Sequence, residues 1–188
     1  SSQPSFSVSR DAFAQHYKTV TTSRGFRYRY HFSAPLPSRP TVLLIHTITS
    51  LAVGLFRQAN YFRAKGYGIV VPDLLGYGGT DKPVDVTSYV QSGIARDLID
   101  ILDNEGVEDV IVFAHAWYAL TNVYLDGNMT DVWPRGTRAA SALAQRYPDR
   151  FLGFAFANLS YQPPNPTVPF NELMSQVCLR AIPRLHEL

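Results

Sequence analysis

The sequence predicts an α/β protein, with a mostly parallel sheet and helices on both faces. Two patterns carry this. Short apolar runs rich in β-branched residues recur at 41–46, 68–72 and 110–114, and a fourth apolar run stands at 151–157. These read as buried strands, and 110–114 as one buried on both faces. Helical periodicity stands between them at 55–65, 88–104 and 136–147. Strands alternating with helices call for crossover connections, which place helices on both sides of a parallel sheet.

Near the start of the chain, residues 16–21 and 26–32 both alternate, with Ser23-Arg24-Gly25 between them as a turn, and so read as a β-hairpin. The second run puts Phe26, Tyr28, Tyr30 and Phe32 on one face and Arg27, Arg29 and His31 on the other. Aromatics beside arginines can stack bases, but an edge hairpin with one buried face explains the same pattern and no nucleic-acid partner is expected. After a proline-marked loop at 34–40, the run 41–46 reads as a central strand. The helix over 55–65 stops at Gly66, and the strand 68–72 opens into Asp73-Leu74-Leu75-Gly76-Tyr77-Gly78-Gly79-Thr80-Asp81-Lys82-Pro83. No helix opens behind those glycines and no P-loop lysine-serine pair follows, so they read as a tight turn past the sheet edge. In 88–104, Val90, Ile94, Leu98, Ile101 and Leu102 share a face; Thr87 or Ser88 can cap the helix and Gly106 stops it. Asp97, Asp100 and Asp103 of this helix read as a solvated face.

The bulk numbers exclude several partners. A length of 188 residues, 46% of them hydrophobic, suffices for one domain over 1–188 with a sizeable core. A formal net charge of +2 is too small to call for nucleic acid or an anionic membrane. No apolar stretch approaches the roughly 20 residues that span a bilayer, so no membrane partner is expected. The chain begins at Ser1 with no basic-then-apolar leader, and its single cysteine, Cys178, fits a reducing compartment, hence the cytoplasm. The five histidines show no ligand spacing with acids or with Cys178, so neither a metal nor another cofactor is expected.

The chemistry turns on the exit of the strand 110–114. The chain runs on through His115-Ala116-Trp117, yet the next helical pattern starts only at Gly136. With 118–135 removed, the text reads VIVFAHAW-GTRAASALAQRYPDRF: strand, tight turn, helix. This joined text resembles the nucleophile elbow of α/β-hydrolases, specifically the epoxide hydrolase branch and its haloalkane dehalogenase relatives. The block KGYGIVVPDLLGYGGTDKP (65–83) is a specific match to that branch, and YVQSGIARDLIDILDNEGV and RYPDRFLGFAFANL support it. The likeness covers roughly 28–164. It implies an α/β-hydrolase fold, a small apolar epoxide-like substrate, and hydrolysis to a diol through an alkyl-enzyme ester. In that branch the elbow usually reads G-H-D-W-G, with the aspartate as nucleophile on a strained turn.

Four departures bear on activity. The nucleophile position is Ala116, and a methyl group cannot attack an epoxide carbon. The oxyanion loop, usually H-G-x-P, reads His46-Thr47-Ile48-Thr49. Without proline a cis bond there costs about 2.5–4 kcal/mol, so the loop is expected to be trans and displaced, with Ile48 a poor donor and His46 a packing residue. His46, Ile48, His115 and Trp117 thus form a vestigial oxyanion and pocket region. The interruption 118–135 is expected to separate the turn from the helix N-terminus. Two origins for it stay open: a surface insertion with a turn at 125–128, or an unspliced intron translated in frame. The second is preferred, because the codons of Trp117-Tyr118-Ala119, Met129-Thr130-Asp131 and Arg135 can encode a splice donor, a branch site and an acceptor. Lastly, the cap and the last strands of the family are expected to be missing, with 165–188 a remnant of the cap region. Tyr161 then stands as one cap tyrosine without its partner, and His186 as a terminal histidine with no acid to orient it. No intact catalytic residue is expected. The chain reads as a catalytically incompetent, epoxide hydrolase-like protein of marginal stability. The alternatives are a non-catalytic protein binding a small molecule or a partner, and a defective gene product.

Overall fold

The computed structural model describes residues 13, 16–47, 50–115, 124–125, 128–129 and 135–157. The six strands of its main sheet are β1 (Tyr17–Thr21), β2 (Arg27–Ser33), β3 (Thr41–Ile45), β4 (Gly68–Pro72), β5 (Val110–His115) and β8 (Gly153–Ala157). They lie in the order β1-β2-β4-β3-β5-β8. The pairs β3–β4, β3–β5 and β5–β8 are parallel, while β1–β2 and β2–β4 are antiparallel. The α/β architecture and the mostly parallel sheet read from the sequence are what the chain forms.

The helices are α1 (Phe56–Ala64), α2 (Gln91–Asn104) and α3 (Arg135–Arg146). Strand alternation sorts the core into two clusters. Val42, Leu44, Ile69 and Val71 pack with Leu55 and Ala59 on the α1 side. Leu43, Ile45, Val70, Val110 and Val112 pack with Ile94, Leu98, Leu102, Ala139 and Leu143 on the side of α2 and α3. Helices on both faces follow directly. Both α1 and α2 end in a Schellman motif. Gly66 at φ 85° and Gly106 at φ 63° take the left-handed position. The amides of Tyr67 and Val107 reach back to the carbonyls of Phe62 and Leu102.

The hairpin does stand at the edge of the sheet, with β1 outermost and β2 joining it to β4. Several other expectations need correction. The second face of the hairpin is not uniformly exposed: His31 is buried, stacked on Phe13 at 4.0 Å between ring centroids. The helix predicted from Ser88 begins at Gln91, after a 3-10 turn (Val86–Tyr89) capped by Asp85 rather than Thr87 or Ser88. Val90 therefore lies off the core face, half exposed. Asp97 is fully buried, not solvated, because Arg24 and Tyr28 of the hairpin cover it with hydrogen bonds of 2.7 and 3.0 Å. Strand β5 is buried on one face only. Ile111, Phe113 and His115 stay half exposed on the α1 side, where α1 packs against β4. Within the interruption, Tyr124–Leu125 (β6) pairs antiparallel with Asn128–Met129 (β7), while residues 126–127 of the turn read there lie outside the described residues.

Candidate functional site

Three chain segments meet at the carboxyl ends of the parallel strands, where sheets of this class place their ligands. They are the exit of β3 at His46-Thr47, the turn 73–83 after β4, and the exit of β5 at His115.

The turn after β4 is organised by one carboxylate. Asp73 is wholly buried, and its Oδ2 accepts from Arg29 Nε at 2.8 Å and from the Gly79 amide at 3.1 Å. Oδ1 accepts from the Ala52 amide at 2.9 Å, tying the turn to the start of the helical segment before α1. The backbone carbonyl of Asp73 accepts from the Thr80 hydroxyl at 2.7 Å, and that hydroxyl oxygen accepts in turn from the Arg29 amide at 2.9 Å. This knot explains the glycines. Gly78 sits at φ 49°, and a Cβ there would collide with the Asp73 carboxylate. The glycine-rich segment is therefore a close-packed turn, as the sequence indicated. Asp73 and Arg29 were not singled out from sequence. The legible signal was an aspartate followed five and six residues later by paired glycines and then a threonine.

His46 belongs to the same framework. It is fully buried, and its Nε2 accepts from the Leu74 amide at 3.0 Å. Nδ1 therefore carries the proton and donates to the Thr47 carbonyl at 2.8 Å. The edge of Tyr77 closes over it at 5.1 Å. Burial depresses its pKa, outweighing the Thr47 carbonyl and the Asp73 charge that favour protonation. Both ring nitrogens are engaged in bonds that tie the β3 exit to the β4 exit. A neutral, doubly bonded imidazole of this kind holds backbone and is not poised as a base.

At the β5 exit, His115 is half-buried and partnered. Ala116 and Trp117 lie outside the described residues, as do Ile48, Tyr161, His186 and 165–188. The helix α3, however, returns to this point. A Cβ on Gly136 would stand 2.5 Å from the His46 carbonyl oxygen and 2.8 Å from that of His115. The first turn of α3 thus lies against the ends of both β3 and β5. The turn at 116–117, from which the interruption was expected to separate the helix N-terminus, lies outside the described residues. The chain leaves β5 and comes back to it, and the positive end of the helix dipole stays at the β5 exit.

Comparisons with known proteins bear on the fold. The family model described as "alpha/beta hydrolase fold" matches residues 40–117. Epoxide hydrolase 3 of Siraitia grosvenorii is 32% identical over 139 residues, which are 74% of this chain and 38% of that protein. A haloalkane dehalogenase of Psychrobacter cryohalolentis is 27% identical over 125 residues, covering 65% of this chain and 41% of the relative. Among solved structures, an epoxide hydrolase variant of Vigna radiata superposes with a TM-score of 0.65 at 25% identity. It covers 86% of this chain and 44% of its own. Epoxide hydrolase A of Mycobacterium thermoresistibile gives a TM-score of 0.64, also at 25% identity, with the same 86% and 44% coverage. The chain thus spans well under half the length of these relatives.

The protein has the α/β-hydrolase fold. Its sequence is similar to those of epoxide hydrolases and a haloalkane dehalogenase, and its structure to those of epoxide hydrolases. Among the described residues, no helix is long and apolar enough to cross a membrane.

Proposed function

We propose that this chain is a pseudoenzyme: an epoxide hydrolase scaffold whose covalent step is absent. The reading rests on one position. Ala116 directly follows His115 at the end of β5, the place the resemblance assigns to the attacking aspartate. Opening an epoxide by this route requires a carboxylate oxygen to form a bond to carbon while the C–O bond breaks, giving an ester that water then cleaves. Alanine supplies no electron pair. Among the described residues at the ends of β3 and β4, His46 is bonded to Leu74 and Thr47, and Asp73 to Arg29 and the backbone. The substrate class to test is a small apolar epoxide, and the cytoplasm is the proposed compartment.

A second reading, a non-catalytic binder of a small apolar molecule or a partner on the same scaffold, draws on the intact packing of both core clusters. One experiment separates the readings. Purified protein of verified intact mass is incubated with a styrene oxide-type epoxide, and diol is measured alongside ligand-induced thermal shift. A shift without diol supports the binder, and neither signal supports the bare scaffold. Diol formed at enzymatic speed would refute both.

A further inference from the structure

We propose that residues 118–135 are a removable excursion, and that the fold closes from β5 to α3 through Ala116 and Trp117 alone. The geometry of Gly136 carries this, and it does not depend on whether the chain turns over an epoxide. A Cβ built on Gly136 falls 2.8 Å from the His115 carbonyl oxygen, so its Cα lies within a few ångströms of the last residue of β5. Three peptide links separate residue 115 from 136 when 118–135 are removed, and three links reach about 10 Å. The gap is far shorter than that reach, so a two-residue turn spans it without stretching either element.

The same contact fixes the helix from a second side. The His46 carbonyl, at the end of β3, lies 2.5 Å from that Cβ position. Behind it Ala139, Ala140 and Leu143 of α3 are buried in the cluster with Val110, Val112 and Ala114 of β5. The position of α3 is therefore set by packing on β3 and β5. A long connection adds closure entropy that a short one does not, so shortening it leaves the helix seat unchanged or strengthens it. Both origins considered for the segment, a surface insertion or an in-frame retained intron, are compatible with such a seat.

The test compares three chains: the intact protein, a deletion of 118–135, and a variant with those residues replaced by a Gly/Ser linker of equal length. Hydrogen exchange of the β3 and β5 peptides is followed by mass spectrometry, together with thermal unfolding. The expected result is that the deletion protects β3 and β5 as well as the intact chain does, with a melting temperature equal to it or a few degrees higher. Loss of protection in the deletion with protection kept in the linker variant would show that length is needed, overturning closure through two residues. Loss in both would show that the segment's own side chains hold the fold, overturning the proposal entirely.

Discussion

Two turns at the same end of the sheet are built in opposite ways. The turn after β4 is held by polar side chains, with Asp73 gathering Arg29, Ala52 and Gly79 and His46 gathering Leu74 and Thr47. At the β5 exit the described contact is between backbones, Gly136 against two carbonyls, backed by alanines of α3. The first turn keeps a block that strongly resembles epoxide hydrolases. The second carries Ala116 and the interruption. The residues that make the architecture and the position that the resemblance assigns to the ester are different, so under the proposed reading the fold persists without the chemistry.

The comparison breaks most visibly at Asp73. Asp73→Ala leaves Arg29 half-buried without its partner and orphans the amides of Ala52 and Gly79. It should cost about 3 kcal/mol or more in a denaturant titration. A loss near zero would mean the knot is ornamental.

The next largest effect is one of pH. His31 is held neutral down to about 4, chiefly by burial, with the nearby Arg63 charge adding to it against the favourable His16 carbonyl. Its unfolded value is near 6.5, so between about 6.5 and 4 the unfolded chain takes up a proton that the folded chain refuses. Stability should fall across that window by on the order of 2–3 kcal/mol, with buried His46 acting in the same direction. Asp97, raised mainly by burial, acts oppositely as pH falls through the carboxylate range. A His31→Phe variant with an unchanged slope between pH 4 and 6.5 would contradict the assignment.

Gly136→Ala sharpens the other side of the comparison. The added methyl meets two backbone oxygens that cannot swing away, and the helix must shift, costing about 1–3 kcal/mol. The smallest effect should come from the exposed pair Arg27–Asp81, 4.0 Å apart, where Arg27→Ala should change stability by under about 0.5 kcal/mol.

Much of this was legible in the sequence, for a physical reason. The runs 41–46 and 68–72 are apolar and β-branched because central strands of a parallel sheet are covered on both faces, and local composition records that, whereas 110–114 has the same composition with one face half exposed. Contacts made across long separations leave no such record. His31 looked exposed by alternation because Phe13, which stacks on it, belongs to no periodic pattern. Asp97 looked solvated because Arg24 and Tyr28 lie more than sixty residues away in the chain. The seat of α3 beside β5 was legible only once 118–135 were set aside and the text rejoined as strand, turn and helix. At the site, Ala116 could be assigned to the nucleophile position only by resemblance, since a single alanine has no pattern of its own.

The central claim is that this scaffold has lost its attacking carboxylate, and the most direct measurement is turnover. Protein of verified intact mass, incubated with a styrene oxide-type epoxide and then digested, should yield no diol above the protein-free blank and no peptide carrying the mass of a trapped alkyl ester. Diol produced at enzymatic rates, with an ester mapped to any carboxylate of this chain, would contradict it.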